Sequence, residues 1–357
     1  MPARTILFVI SSLKYSGAAR QLCLLSASLP RDSFRVCVAV LGAETPWVAS
    51  LRGAGVEVAV LGWRRPFDVL PFVALRRLVR SMRPDVLHVW GATALRAVVL
   101  TGSHRVNQLL VSAVLSFGQR MDRLDRWLLS RAGGVIALSA AEAERYRRLG
   151  VADSRLTVVS PAMSIPTDNV KPADLPGVAA NDRVLLGLGP IEPYKGFREA
   201  VWAFDILRHL YDDVQLVLAG SGTDRPRVEQ FARQIGIGQH VHFLGPCADT
   251  APLLHRAEIV LVPSLRGGGV CAALEAMAAG RPVVASRLPD LAEIVVDGET
   301  GFLVEPGNKA ALARQTRFLL DDSPRRQRMG ESGRQRVRAH FSAGGLVEAC
   351  ARRYAGG

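Results

Sequence analysis

The stretch PSLRGGGVCAALEAMAAGRPVVA, Pro263 to Ala285, sets how this chain is understood. It runs strand end, glycine-rich turn, helix, glycine stop and strand, which is the grammar of a β-α-β unit. Three consecutive glycines, Gly267 to Gly269, precede the helix that opens at Val270 and Cys271. Glycine lets backbone approach a ligand closely, and the amides and dipole of a helix start favour an anion such as a sugar-linked phosphate. The amides of Gly268, Gly269, Val270 and Cys271 are therefore a candidate anion cradle. Glu275, about a turn and a half along the helix, is placed to accept two hydrogen bonds from a ribose diol. Taken alone, the segment also reads as a plain turn followed by a solvated glutamate.

The same alternation extends in both directions. Toward the N-terminus, short β-branched runs at 6–10, 36–40, 56–60, 86–89, 109–113, 135–138 and 156–159 are interleaved with helical periodicity at 18–29, 69–82 and 140–149. Strand, helix, strand repeated this often predicts a parallel sheet wrapped by helices. The pattern restarts at 184–188, 214–219, 241–243, 259–262 and 283–285, and after Asn308 the sequence is helical throughout. Between the two series, Pro166, Pro172, Pro176 and Gly177 punctuate a connector. The expected organisation is two Rossmann-like doubly wound domains: residues 1–165, a linker 166–181, and residues 182–341. A final helical segment occupies 342–357. Ligands of open α/β sheets sit beyond the carboxyl ends of the strands, so two such domains are expected to face a central cleft.

Composition narrows the function. The chain has 357 residues, 45 Lys and Arg against 32 Asp and Glu, a net charge of +13, and 49% hydrophobic residues. That is the profile of a folded protein with a large core. No apolar run approaches the ~20 residues of a membrane helix, and the N-terminal apolar run is too short for a secretory signal. Cys23, Cys37, Cys247, Cys271 and Cys350 are odd in number and form no CxxC pair, so neither a disulfide framework nor a zinc site is expected. The seven histidines show no metal-ligand spacing. A cytoplasmic protein is expected. The arginines are scattered rather than interleaved with aromatics, so no nucleic-acid partner is expected.

The common nucleotide and hydrolase motifs are missing. No Gly-Lys-Ser/Thr P-loop, GxGxxG, HExxH or GxSxG occurs, and no Asp-x-Asp pair offers to hold a metal against a diphosphate. Only four lysines occur, so Lys195, in Gly187-Leu188-Gly189-Pro190-Ile191-Glu192-Pro193-Tyr194-Lys195-Gly196, draws notice. It stands just before a helix, where an ammonium can neutralise phosphate. By itself it reads equally as a helix-start surface residue.

Together these segments resemble the family-4 glycosyltransferases, the glycosyl transferases group 1 with GT-B fold. The likeness runs through Ser16-Gly17-Ala18-Ala19-Arg20-Gln21, Pro84-Asp85-Val86-Leu87-His88, Leu218-Ala219-Gly220-Ser221-Gly222 and Phe243-Leu244-Gly245. It continues through Leu274-Glu275-Ala276-Met277-Ala278-Ala279-Gly280 to Asp297-Gly298-Glu299-Thr300-Gly301-Phe302-Leu303-Val304. The resemblance implies a GT-B enzyme, hexosyltransferase-like and retaining, that moves a sugar from a nucleotide-diphosphate sugar to an acceptor hydroxyl without a metal or other cofactor. It implies an acceptor domain at 1–165, a donor domain at 182–341, and a final segment 342–357 that crosses back to pack on the first domain. It assigns Lys195 to the diphosphate and Glu275 to the donor ribose. Backbone after Phe243-Leu244-Gly245 lies near the nucleobase, and Gly17 and Ala18 face the phosphates. The donor-binding set is thus Gly17, Ala18, Lys195, Gly268, Gly269, Val270, Cys271 and Glu275, with Lys195 and Glu275 as the catalytic pair. The acceptor is a glycan, a lipid-linked molecule or a small molecule of envelope or polysaccharide synthesis.

Several positions depart from the family. An arginine usually five residues before the lysine is Pro190 here, and a glutamate eight residues before Glu275 is Gly267. The first loop lacks its usual Gly-Gly-x-Glu, and no histidine follows the 109–113 strand through Phe117. The usual Gly-Gly before a later helix is replaced by Pro289-Asp290. These losses raise an alternative: a degenerate member that binds a nucleotide sugar or a partner enzyme without turnover. Finally, Arg76, Arg77, Arg80 and Arg83, beside Phe67, Leu70, Phe72, Leu75, Leu78 and Val79, form a basic amphipathic segment. It reads either as a solvated helix face or as peripheral contact with an anionic membrane on its cytoplasmic side.

Overall fold

The computed structural model describes residues 3–14, 16–65, 68–113, 123–165 and 170–355. Phe67, Pro166, residues 167–169 of the connector and the positions 114–117 where a histidine was sought lie outside the described residues. The chain divides into two units, Met1–Ala162 with Ala343–Gly357, and Met163–Ser342.

The first unit is built on seven parallel strands: β1 Arg4–Ile10, β2 Phe34–Val40, β3 Glu57–Val60, β4 Val86–Trp90, β5 Gln108–Ser112, β6 Gly134–Ala137 and β7 Leu156–Val158. Their order is β3-β2-β1-β4-β5-β6-β7. β1 pairs in register with β2 on one side (Ile6 with Val36) and with β4 on the other (Ile6 with Val86). The connections therefore reverse direction between β1 and β4, which is the topological switch point of a doubly wound sheet. Buried on both faces, the central strands are near-continuous apolar runs rather than alternating, with His88 of β4 the polar exception. One core layer gathers Leu7, Val9, Leu87 and Val89, the other Ile6, Phe8, Val36 and Val86. Helix Ala343–Tyr354 adds Leu346, Cys350 and Tyr354 to the second of these layers.

The second unit has six parallel strands: β8 Arg183–Leu188, β9 Val214–Ala219, β10 Val241–Gly245, β11 Ile259–Val262, β12 Val283–Ser286 and β13 Gly301–Val304, in the order β10-β9-β8-β11-β12-β13. Its switch point lies between β8 and β11. The periodicity reading ends its strands at 285 and misses β13. Gly301 to Val304 opens on glycine and holds one β-branched residue, so it carries a weak strand signal, and it is pairing with Val283 to Ser286 that makes it a strand.

The expected helices at 18–29, 69–82 and 140–149 are Gly17–Ser28, Leu70–Met82 and Ala140–Arg148. The connector expected at 166–181 is, over its described part, held to the second unit. Leu175 is buried in that unit's core, Ala173 N donates to Pro252 O at 3.0 Å, and Arg256 Nη2 donates to Ala179 O at 2.7 Å. Composition saw the prolines but not the one leucine that anchors them. No helix among the described residues is long and apolar enough to cross a membrane.

Candidate functional site

Because every strand of the second unit runs the same way, the loops after β8, β9, β10 and β11 all emerge at one edge of the sheet. The loops after β8 and β11 flank its switch point, where a doubly wound sheet leaves a crevice for a ligand. These two loops carry Lys195 and the glycine run.

After β8 the chain turns through Gly189 and Ile191 into the short 3-10 turn Pro193–Lys195, then enters helix Phe197–Arg208. Gly196 makes that entry at φ 68°, and a Cβ there would lie 2.0 Å from the carbonyl oxygen of Pro263. The two loops thus pass in backbone contact that only glycine permits. Leu265 N closes the pairing by donating to Tyr194 O at 2.8 Å. The neighbouring loop after β9 is tied in as well: Ile191 N donates to Ser221 O at 3.0 Å, and Thr223 Oγ1 donates to Glu192 Oε2 at 2.5 Å.

This packing buries Lys195 to 9% exposure, so it is not a surface residue of the helix start. Among the described residues no carboxylate pairs with its ammonium. Loss of hydration pulls its pKa down from 10.5 to about 8, with the Cys271 thiol acting weakly in the other direction. The amine also lies 5.7 Å from the Tyr194 ring centroid.

After β11, Gly267, Gly268 and Gly269 have φ of 106°, 73° and 99°. Gly269 is the cap of helix Val270–Ala278, and no side chain caps that start. A Cβ on Gly269 would stand 2.4 Å from Val262 Cγ1, so the turn folds tightly onto its own strand. Lys195, Gly268, Gly269, Val270 and Cys271 are accordingly gathered on one edge of the unit, with Cys271 at the helix start close enough to act electrostatically on the Lys195 ammonium. Arg266 is exposed at the head of the glycine turn and has no carboxylate partner among the described residues.

Glu275 departs from its simplest reading. It is buried rather than solvated, and its carboxylate is engaged: Thr250 Oγ1, from the loop after β10, donates to Oε2 at 2.6 Å. Sequence reasoning missed Thr250, since nothing local marks a residue 25 positions away as a partner. The same loop follows Gly245, which turns at φ 76°. Pro190 brings no cation to the loop after β8. Pro289 opens the short helix Pro289–Ala292, with Asp290 buried behind it.

Gly17 and Ala18 belong to the first unit. They open helix Gly17–Ser28 at the β1 side of that unit's switch point, where Ser16 Oγ accepts from Ala19 N at 3.2 Å. His88, on β4, is fully buried and engaged on both ring nitrogens, which makes it part of the scaffold. No three His, Cys, Asp or Glu side chains gather as metal ligands among the described residues.

Comparison with known proteins agrees with this architecture. Residues 176–336 match the family described as Glycosyl transferases group 1, and residues 15–165 match Glycosyltransferase Family 4. A glycogen synthase of Mycobacterium tuberculosis is 30% identical over 297 residues, covering 77% of this chain and 69% of the relative. A putative glycosyltransferase of Bacillus subtilis, EpsD, is 28% identical over 313 residues, covering 80% of this chain and 81% of that one. Among solved structures, Anabaena Alr3699/HepE in complex with UDP-glucose superposes with a TM-score of 0.83 at 20% identity, covering 99% of both chains. The shared fold is the GT-B architecture.

Proposed function

The chain belongs to the group 1 glycosyltransferases, and on that basis we propose that its second unit binds a nucleotide-diphosphate sugar for retaining transfer to an acceptor hydroxyl. One observation carries the reading: the Lys195 ammonium is withdrawn from water without a carboxylate partner among the described residues, beside a helix start that no side chain caps. An isolated buried cation is costly, and a pyrophosphate would supply the missing negative charge. The amides of Gly268 to Cys271 would take the remaining phosphate oxygens. Glu275, oriented by Thr250, would hold the ribose.

Departure of the nucleoside diphosphate builds positive charge at the anomeric carbon and negative charge on the leaving phosphate. Lys195 and the helix start stabilise the latter. The acceptor hydroxyl attacks from the leaving-group face, its oxygen bonding to the anomeric carbon as the glycosidic phosphate bond breaks. Its proton passes to the departing phosphate oxygen, so no protein base takes part. The positive charge comes from this chain's own residues, and turnover is expected to persist in EDTA. The acceptor is read as a glycan, lipid-linked or small-molecule hydroxyl of envelope or polysaccharide synthesis in the cytoplasm. UDP and UDP-glucose, seen bound in the Anabaena protein, are the first probes.

Pro190 and Gly267 favour a second reading, binding without turnover, because each removes a charged group from the donor loops. The test is nucleoside diphosphate release across UDP, GDP and ADP sugars. Acceptor-dependent release abolished by Lys195→Ala supports transfer. Donor binding with no release under any acceptor supports the second reading, and no binding of any nucleotide sugar overturns both.

A further inference from the structure

We infer that Cys271 is a thiol-exchange site, whose sulfur takes up one half of an anionic low-molecular-weight disulfide on the edge of the second unit that carries Lys195 and the glycine turn. The five cysteines of the chain are free of disulfides, and their settings differ. Cys37 and Cys350 are buried in the first unit. Burial pushes both thiols up to about 12 and does the same to Cys23. In the second unit Cys247 is half-buried, donates to Gly245 O at 3.6 Å, and is raised by burial in the same sense. These four are held in the protonated form, which is a poor nucleophile.

Cys271 stands elsewhere. It is half-buried and is the second residue of helix Val270–Ala278, whose start no side chain caps. The positive end of the helix dipole and its unpaired amides favour a negative sulfur there. A second observation, from a different loop, points the same way. Lys195 is nine-tenths buried and has no carboxylate partner among the described residues, and Cys271 is the side chain whose charge acts on its ammonium. That coupling is mutual, so the ammonium also favours the thiolate. Arg266, exposed at the head of the glycine turn, adds a further positive charge to the approach.

The chemistry is thiol–disulfide exchange. The Cys271 thiolate attacks one sulfur of the small disulfide and forms a new S–S bond to it. The original S–S bond breaks, and the other half leaves as a thiolate that takes a proton from water. Cys271 is oxidised and the departing half reduced, with two electrons exchanged, and a free thiol reverses the step. Positive surroundings select the partner by charge: oxidised glutathione, with its carboxylates, is drawn in, whereas cystamine, with two ammonium groups, is repelled. The attached half would occupy the place given above to the pyrophosphate, a consequence that rests on the proposed function; the exchange itself does not.

The test uses the full chain, freed of reductant and treated with oxidised glutathione or cystamine, with the modified cysteine located by peptide mass spectrometry. Cys271 is expected to react first, roughly tenfold or more ahead of Cys247, which shares its core layer and serves as the internal control. Oxidised glutathione should outpace cystamine, and Lys195→Gln should slow the reaction at Cys271 by roughly tenfold and narrow the gap between the two disulfides. Should Lys195→Gln fail to fold by circular dichroism, the order of the cysteines and the ranking of the two disulfides in the parent decide. Reaction at Cys247 as fast as at Cys271, equal rates with the two disulfides, or a folded Lys195→Gln that reacts like the parent would overturn the inference. Calorimetry with inorganic pyrophosphate separates the two readings: fast exchange at Cys271 without pyrophosphate affinity supports the thiol site and defeats the phosphate site.

Discussion

The hydroxyl of Tyr354 lies 2.7 Å from Nδ1 of His88, joining the last helix of the chain to β4 across 266 residues. The other ring nitrogen of His88 meets Ser112 Oγ at 2.8 Å on β5. Burial pushes the imidazole pKa down from 6.5 to about 3, so the ring is neutral and donates through one nitrogen while accepting through the other. Around it, Phe8, Trp90 and Tyr354 form an aromatic cluster with ring centroids 5.1 to 5.7 Å from that of His88.

Tyr354→Phe keeps the ring and removes the hydroxyl, leaving His88 with an unmet polar atom in the core. The expected cost is about 1 to 3 kcal/mol of unfolding free energy. Urea denaturation of the full chain, followed in the transition of the first unit, reads this directly. A variant as stable as the parent would show that the contact contributes nothing.

Folded His88 resists protonation down to about pH 3, whereas the unfolded imidazole takes a proton near 6.5. Between those values the unfolded chain binds more protons. The His88 contribution is therefore complete above pH 6.5 and lost on acidification, at about 1.4 kcal/mol per pH unit. The stability difference between the parent and His88→Gln should shrink as pH falls from 6.5 toward 4.5. A constant difference would refute the assignment.

Lys195 titrates in the opposite sense with respect to ligand. Its ammonium is mostly present at pH 7, half lost at about pH 8 and lost above it, so affinity for UDP should already decline by about twofold from pH 7 to 8 and weaken further as the pH rises. Calorimetry on Lys195→Ala should show roughly 10- to 150-fold weaker binding at pH 7, corresponding to one charge-assisted contact, and no such pH dependence. A pH profile shared by parent and variant would move the phosphate site elsewhere.

Thr250→Val removes the donor that holds one oxygen of Glu275. Donor KM is expected to rise roughly fivefold with little change in kcat, because the bond orients a binding group rather than a reacting one. Thr250→Ser should restore the parent value. Equal values for Val and Ser would leave Thr250 as mere packing.

At Gly196, an alanine Cβ meets the Pro263 carbonyl oxygen at 2.0 Å, in backbone that L residues rarely adopt. Two backbone segments cannot rotate out of the way, so Gly196→Ala should destabilise the second unit by about 3 kcal/mol or more and abolish nucleotide binding. At Gly269 the obstacle is a valine methyl, and Gly269→Ala should be milder. Thermal unfolding of the two variants ranks them.

Amino-acid order was sufficient for whatever repeats locally or sits within one turn. Strand and helix alternation, the glycine run before Val270, and the motifs that place the chain in its family all lie within short windows, where backbone periodicity and helix-start chemistry act. Recognising Gly268 to Cys271 as a helix start after a glycine turn needed no neighbour from elsewhere. The same windows could not reveal β13, because Gly301 to Val304 opens on glycine with one β-branched residue and becomes a strand through its pairing with β12.

Which side chains meet was settled by the folded chain. Strand order puts the loops after β8 and β11 side by side, and that adjacency buries Lys195. The same kind of closure sets Thr250 on Glu275 and Tyr354 on His88. The physical reason is that propensity and periodicity act over a few residues, whereas burial and hydrogen-bond partnership depend on contacts that sheet topology makes between residues tens to hundreds of positions apart.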